Sequence, residues 1–440
     1  PIRLVESGPA GGAILAARIA AETKECEVLS FDMGGTTAKL CLIDYYRPQT
    51  ARKFEIARAA RFKKGSGMPV RIPVIEMIEI GAGGGSIAHV DRLGRLQVGP
   101  DSAGSEPGPA AFAKGGTEPT VTDADVIQGL IEPGRFAEGR LRINTKAAES
   151  ALASGVGQSL GFGAAKAANG VSEIVDENMA NAARMHAVES GKDLRPRLMI
   201  AFGGNGPLHA TRVARRSQID QILIPHDPGV GSAVGFLFAP VSFEIIRSRY
   251  TTLETLDFES LNTFFDAMFH EAEAVVGAGA PEKRLTQRRQ AFMRYQGQGH
   301  EIEIPLPGRA MQEADIPVLR EAFEKEYSRQ FSRAVPGMKI EILNWALQVS
   351  SEPPALASYP EITKNQRAQP IGQRRILCEI IGEWREAETY DRGTLKPGDH
   401  LEGPALIMEP QTTTFVSTDF SARVDGGGNI WLKRNREGNL

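Results

Sequence analysis

The feature that most constrains this chain is a pair of adjacent glycines set between two β-prone runs. Phe31-Asp32-Met33-Gly34-Gly35-Thr36-Thr37-Ala38-Lys39 follows Glu27-Val28-Leu29-Ser30 and leads into Leu40-Cys41-Leu42-Ile43. The pattern reads as strand, glycine turn, strand. Adjacent glycines reach backbone conformations that a side chain forbids. Their bare N–H groups can line a concave nest that suits phosphate oxygens. Thr36 and Thr37 add hydroxyl donors. Asp32, at the strand end, is placed to hold a Mg²⁺ shell or to orient a water. The plainer reading is an ordinary hairpin turn. No Gly-Lys-Ser/Thr follows at the spacing of a Walker A loop. The dinucleotide fingerprint is excluded too, because its glycines open a helix and these lead into a strand.

Bulk properties narrow the class. The chain has 440 residues, room for two to four domains, and an ordinary globular balance of 41% hydrophobic and 24% charged residues. A net charge of −3 argues against nucleic acid as the main partner. Cys26, Cys41 and Cys378 make no paired framework, so a reducing, cytoplasmic setting is expected. The longest apolar run, around Val230 to Val241, is too short and too glycine-rich to span a bilayer. No signal peptide is visible. The first residue is Pro1, which reads as a fragment, a processed chain or a truncation.

Further glycine corners follow. Glu6-Ser7-Gly8-Pro9-Ala10-Gly11-Gly12 precedes a helical run from Ala13 to Glu22. Gly81-Ala82-Gly83-Gly84-Gly85-Ser86 is a second phosphate-loop candidate, or a bend that packing requires. Ile87 to Val98 reads as a hairpin, with His89 structural, and residues 99–109 as a long loop in which Asp101, Ser102 and Glu106 can face a ligand. Thr120-Val121-Thr122-Asp123-Ala124-Asp125 opens a helix. Thr122 or Asp123 is expected at its N-cap, with Asp123 and Asp125 as cation ligands in the sharper reading. Residues 164–191 form a long helix with a core-facing stripe. Leu198 to Phe202 is a buried strand, and Gly203-Gly204-Asn205-Gly206-Pro207 then opens a helix, a ready anion or nucleotide site. His209 lies in that helix's first turn, where it can touch a ligand or simply pack. After Arg249 the pattern becomes mixed helix and strand. A proline-bearing linker spans 352–370, and the remainder reads as β.

Taken together, these phrases resemble the hydantoinase A/5-oxoprolinase family. Ser7 to Gly12, Phe31 to Thr36, Ile80 to Ile87, Val98 to Gly104, Pro119 to Asp125, Phe202 to Ala210 and Arg294-Tyr295-x-Gly297-Gln298 run in order along nearly the whole chain. The resemblance implies an α/β fold: an actin-like ATPase half over 1–250, with the N-terminal half of the family fold missing. It further implies an appended α+β region over 251–351 and a β-rich C-terminal domain over 371–440. It implies ATP and Mg²⁺ as cofactors and opening of a cyclic amide through substrate phosphorylation, with a hydantoinase B-type subunit as partner. The alternatives are the ATP-using subunit of an acetone/acetophenone-type carboxylase acting on a ketone, and a nucleotide-binding scaffold without catalysis. Thr37-Ala38-Lys39 stands where hydantoinase A sequences commonly carry Ser/Thr-Asp-Val, which leans toward the carboxylase branch. On this resemblance Gly34, Gly35, Thr36, Thr37, Gly83 and Gly84 face phosphate. Gly203, Gly204 and Gly206 face the nucleoside, Asp32 serves the metal, and Asp32, Asp123 and His209 are the catalytic candidates. The expectation is one cleft walled by the Gly34-Gly35 corner and the Gly203–Gly206 corner.

Overall fold

A computed structural model describes residues 7–51, 54–56, 67–70, 74–281, 283–362, 364–378 and 380–435. Part of the β pattern expected between 53 and 74 lies outside these residues. The chain forms two compact units, one of residues 1–238 with 356–440 and one of 239–355.

In the first unit the strand Glu27–Met33 lies at the heart of a ten-stranded sheet. It pairs antiparallel with Ala38–Asp44 and parallel with Leu198–Phe202, which in turn pairs parallel with Gln221–Ile224. Successive side chains alternate between faces, as a strand demands. Leu29, Phe31 and Met33 join Met199 and Ala201 in a core under the helices Ala164–Glu189 and Gly206–Arg216. Val28 joins Leu198, Ile200 and Phe202 under the helix Ser7–Thr23. Both faces are covered, so the strands read as continuous apolar runs. Each fully buried Leu, Ile or Phe stabilises by about 1.5–3 kcal/mol.

The helix Ser7–Thr23 begins six residues before the expected Ala13, taking Gly8, Gly11 and Gly12 into its first turns. Close packing explains it. The helix Gly231–Phe238 crosses so near that a Cβ added to Gly235 would lie 1.9 Å from Gly11 O. The strands between Gly372 and Arg434 belong to this unit. Ile430–Arg434 pairs antiparallel with Gln221–Ile224, and Phe420–Val424 and Asp399–Glu402 extend the same sheet. A second sheet in this unit runs Gly372–Cys378, Glu383–Asp391, Ala405–Met408, Thr413–Val416.

The second unit is a four-stranded antiparallel sheet ordered Ser242–Thr252, Ile340–Ser351, Leu285–Tyr295, Ile302–Leu306. Its core contains Phe265 and Met268 of the helix Phe258–Gly279 and Leu319 and Phe323 of Asp315–Phe331, around Trp345.

Among the described residues, no helix is long and apolar enough to cross a membrane.

Candidate functional site

Three glycine corners meet at the ends of the paired central strands. Gly34 N–H donates to Thr37 O at 3.0 Å and closes the first turn. Gly84 N–H donates to Gly34 O at 3.1 Å and Gly85 N–H to Gly35 O at 2.6 Å, so the second corner lies directly on the first. A Cβ on Gly83 would fall 2.6 Å from Gly35 C, so only glycine permits this approach. The third corner docks through Asn205, whose N–H donates to Met33 O at 2.9 Å and whose Nδ2 donates to Gly34 O at 3.2 Å. Gly203 has φ +90°, and a Cβ there would meet Met33 O at 2.4 Å and Asp32 Oδ1 at 2.5 Å. Its N–H donates to Pro228 O at 2.8 Å.

The N–H groups of Gly34, Gly84 and Gly203 are thus spent inside the fold, and Gly83 N–H donates to Ser86 Oγ at 2.8 Å. Gly35 and Thr36 form the exposed tip of the first turn, and Gly204 is exposed as well. Thr37 Oγ1 accepts from Lys39 Nζ at 2.9 Å, and Gly206 is buried at the start of its helix.

Asp32 ends its strand on the face covered by Ser7–Thr23. Ser232, carried by the crossing helix Gly231–Phe238, donates to Asp32 Oδ2 at 2.6 Å. Burial pushes the Asp32 carboxyl above its ordinary range, while the Ser232 hydrogen bond and nearby Lys39 pull it back. Asp32 borders a small, partly open recess with Gly12, Ser30, Lys39 and Met77. One partly solvated carboxylate suits Mg²⁺, which usually takes one or two carboxylates and fills the rest of its shell with waters and phosphate oxygens. Among the described residues, His, Cys, Asp and Glu gather in no group of three or more able to hold a metal ion.

Gly204 opens instead onto a partly open cleft, lined by Asn205 and Leu208, by Ile131, Glu132, Arg135, Phe136 and Ala137, and by the hairpin turn 408–413. The two cavities share no lining residue. One cleft common to Asp32 and Gly204 was expected. The corners do touch, with the Asn205 side chain against Gly34 and Gly84.

Asp123 and His209 are both fully buried. The N-cap of the helix Val121–Ile127 is Thr120, not Thr122 or Asp123, because Thr120 holds the extended backbone and Asp123 answers from the third helical position in a capping box. Asp123 accepts from Ala111 N at 2.7 Å, Thr120 Oγ1 at 2.8 Å, Thr120 N at 2.9 Å and Ala110 N at 3.2 Å. Burial raises its carboxyl against these four bonds. The helix it caps supports the glycine corner, since Thr122 N–H donates to Gly84 O at 2.7 Å.

His209 bridges two carboxylates, with Nδ1 2.7 Å from Asp176 Oδ1 and Nε2 3.3 Å from Asp125 Oδ2. Arg212, one turn along, places Nε 3.0 Å from Asp176 Oδ2 and Nη1 3.1 Å from Gln128 Oε1. Burial opposes charge on His209, but Asp125 and Asp176 outweigh it and raise the imidazole above its ordinary value. Burial likewise opposes charge on Asp176, but Arg212 and His209 outweigh it and hold that carboxyl low. This network ties three helices together within the core. Arg212 was detectable as the i+3 neighbour of His209 on one helix face, whereas no local signal marks Asp176.

Asp101 is exposed at the end of the strand Leu96–Ser102, so the strand runs further into the expected loop than Val98. Ser102 Oγ accepts from Gly104 N at 3.2 Å, and Ala103 N–H donates to Gly85 O at 2.9 Å, which brings this segment onto the glycine corners.

Residues 1–245 match the family model described as hydantoinase/oxoprolinase, and residues 257–434 match the hydantoinase/oxoprolinase C-terminal domain. The chain belongs to the hydantoinase/oxoprolinase family. An uncharacterized protein of Methanocaldococcus jannaschii is 34% identical over 99% of this chain and 62% of its own length. The caprolactamase subunit alpha of Pseudomonas jessenii is 28% identical over 96% of this chain and 60% of its own. The acetophenone carboxylase gamma subunit of Aromatoleum aromaticum is 31% identical over 97% of this chain and 59% of its own. The chain therefore spans about three-fifths of the length of these relatives. Among solved structures, the ATP-dependent caprolactamase from Pseudomonas jessenii aligns with TM-score 0.76 at 28% identity, over 97% of this chain and 62% of that one. Nucleotide-free acetone carboxylase aligns with TM-score 0.81 at 24% identity, over 97% and 61%, and shares the mixed α/β fold.

Proposed function

We propose that this family member is the ATP-using subunit of a cytoplasmic enzyme that opens a cyclic amide of the hydantoin or 5-oxoproline type by phosphorylating it. The observation that carries this reading is the meeting of three glycine corners beside Asp32 at the ends of the central strands. In this reading the first unit is one half of an actin-like ATPase. Gly35 and Thr36 hold phosphate at the exposed tip beside Thr37, Gly34 closes the turn that shapes that tip, and the Gly203–Gly206 corner presents Gly204 beside the nucleoside. Asp32 holds Mg²⁺ or a water in its shell, and the ion would supply neutralisation of phosphate charge. Gly83 and Gly84 buttress the tip from behind, and Asp123 and His209 brace the helices that carry the corners. Transfer of a γ-phosphoryl group is mostly positioning and charge neutralisation, which suits rigid glycine corners. The amide oxygen takes the γ-phosphoryl group and ADP leaves; one water then adds at the activated carbon, the ring C–N bond breaks as the nitrogen takes up a proton, and a second water hydrolyses the resulting acyl phosphate to carboxylate and free phosphate. A hydantoinase B-type subunit is the expected partner, since the similar caprolactamase and acetophenone carboxylase chains are themselves named as subunits.

A second reading has its own support: phosphorylation of a ketone in an acetone/acetophenone-type carboxylase. The acetophenone carboxylase chain is 31% identical against 28% for the caprolactamase chain, and Ala38-Lys39 departs from the hydantoinase pattern.

Phosphate release from ATP, measured with the partner subunit present, tests both. Stimulation by hydantoin or 5-oxoproline supports the first, and bicarbonate-dependent stimulation by a ketone supports the second. Asp32→Ala is expected to lower turnover about 100-fold or more. No substrate-stimulated release from either the wild type or Asp32→Ala would reduce the protein to a nucleotide-binding scaffold.

A further inference from the structure

Lys39 is the second charged side chain of the recess beside Asp32. It stands directly opposite Asp32 where Glu27–Met33 pairs with Ala38–Asp44, and directly opposite Glu79 of the neighbouring strand Ile78–Ile80. Residues paired in this way put their side chains on one face of the sheet. Lys39 Nζ donates to Thr37 Oγ1 at 2.9 Å and lies 3.6 Å from Glu79 Oε1. The ammonium is therefore set between two acidic neighbours and tied to the residue that follows the exposed tip at Gly35 and Thr36.

Donors are left over at this point. An ammonium carries three N–H donors, and a threonine hydroxyl carries one O–H donor beside its acceptor lone pairs. Among the described residues, Lys39 hydrogen-bonds to Thr37 Oγ1 alone, since Glu79 at 3.6 Å is within ion-pair range but beyond a good hydrogen bond. Thr37 Oγ1 is thereby used as an acceptor, and its own O–H meets no acceptor among these residues. A hydroxyl that accepts from a cation is polarised and donates more strongly. The Lys39–Glu79 pair is open to solvent, with side chains 24% and 44% exposed, and a pair of that kind holds weakly. An incoming anion can therefore displace Glu79. One O–H, the remaining N–H donors and a positive charge thus stand next to the glycine tip. Their complement is an anion with several acceptor oxygens, and lysine meets phosphate as such a point charge.

We propose that Lys39 and Thr37 act as one phosphate-binding pair. The ammonium takes phosphate charge and holds the Thr37 hydroxyl as an acceptor, so that the hydroxyl proton goes to a phosphate oxygen. Lys39 also offsets Asp32 and Glu79, which by themselves would repel that phosphate. The pair deepens the proposed function and rests on it for the nucleotide that brings the phosphate.

Isothermal titration calorimetry with ADP and Mg²⁺ tests it on the wild type, Lys39→Met, Thr37→Val and the double variant, with thermal unfolding as the control for folding. Lys39→Met is expected to weaken ADP about tenfold or more, and Thr37→Val about fivefold. Because the hydroxyl works through the ammonium, the double variant stays within about twofold of Lys39→Met, where independent contributions would multiply. Glu79→Gln, which removes the carboxylate that competes for Lys39, binds ADP at least as tightly as the wild type. Lys39→Gln gives the same reading as Lys39→Met if the latter does not fold. ADP binding within about twofold of wild type in the folded Lys39 variants, losses that multiply in the double variant, or weaker binding in Glu79→Gln overturns the proposal. Lys39 is then a link between two acidic strands, and substrate-stimulated phosphate release by the wild type would leave the proposed function standing. Lys39-dependent ADP binding without any substrate-stimulated release would overturn the proposed function and leave the pair standing. No binding of ADP to the wild type overturns both.

Discussion

Asp176 has no access to solvent, and a carboxylate in that position keeps its charge only beside a cation. Arg212 and His209 supply two. Held below its usual range, Asp176 binds fewer protons folded than unfolded. Its stabilisation is present above the ordinary aspartate range and is lost as pH falls through the depressed value. His209, held above its usual value, contributes fully below the unfolded imidazole range and loses that contribution as pH rises through the raised value. Urea unfolding measured across pH should therefore show a plateau between about pH 4 and pH 6.5 with a fall on each side. Asp176→Asn should lower the plateau by about 3–5 kcal/mol, because it leaves buried cations underpaired, and should flatten the acid limb. A variant within about 0.5 kcal/mol of wild type would refute the network's role. Asp32 and the first glycine turn were legible because a strand end, two glycines and two threonines stand consecutively. Asp176 was not, because its partners come from distant segments and leave no local mark.

At the scale of elements, the position of Ser232 on Asp32 depends on how closely two helices cross. Gly235→Ala places a methyl 1.9 Å from Gly11 O, and the helix Gly231–Phe238 must move outward. Overpacking of this kind costs about 1–3 kcal/mol. The same shift draws Ser232 from Asp32 and, on the proposed function, should lower ATP turnover, while Gly277→Ala, at an open position in the other unit, leaves that contact and turnover unchanged. Equal unfolding midpoints for Gly235→Ala and wild type would show that the crossing is looser than described. Helices with long apolar periodicity, such as Ala164–Glu189, were legible from spacing alone. The strand Glu383–Asp391 carries no local mark of its own, because Glu383, Trp384, Arg385 and Glu386 are exposed and show no apolar alternation.

Across the whole molecule, the two units differ in how their chain is assembled. Residues 239–355 are continuous and enclose their own core around Trp345, so this segment expressed alone should unfold cooperatively on heating. The other unit is discontinuous. A chain ending at Ala355 loses the strand Ile430–Arg434 and uncovers the edge of Gln221–Ile224, where Ile222, Leu223 and Ile224 are fully buried. Such an edge templates aggregation, so the truncated protein should be recovered largely insoluble. Soluble material with native far-UV circular dichroism would show that the C-terminal strands are dispensable.

By itself the sequence determined the strand–turn–strand at Asp32, the glycine turn before Gly206, the long helices and the family, because each is written in neighbouring residues or in ordered phrases. Tertiary structure alone decided that two glycine corners stack on a third, and that Asp123 and His209 turn inward. It also decided that a hairpin from the C-terminal strands reaches Gly204. Those outcomes depend on which distant surfaces pack together, and packing leaves no periodicity in the local chain.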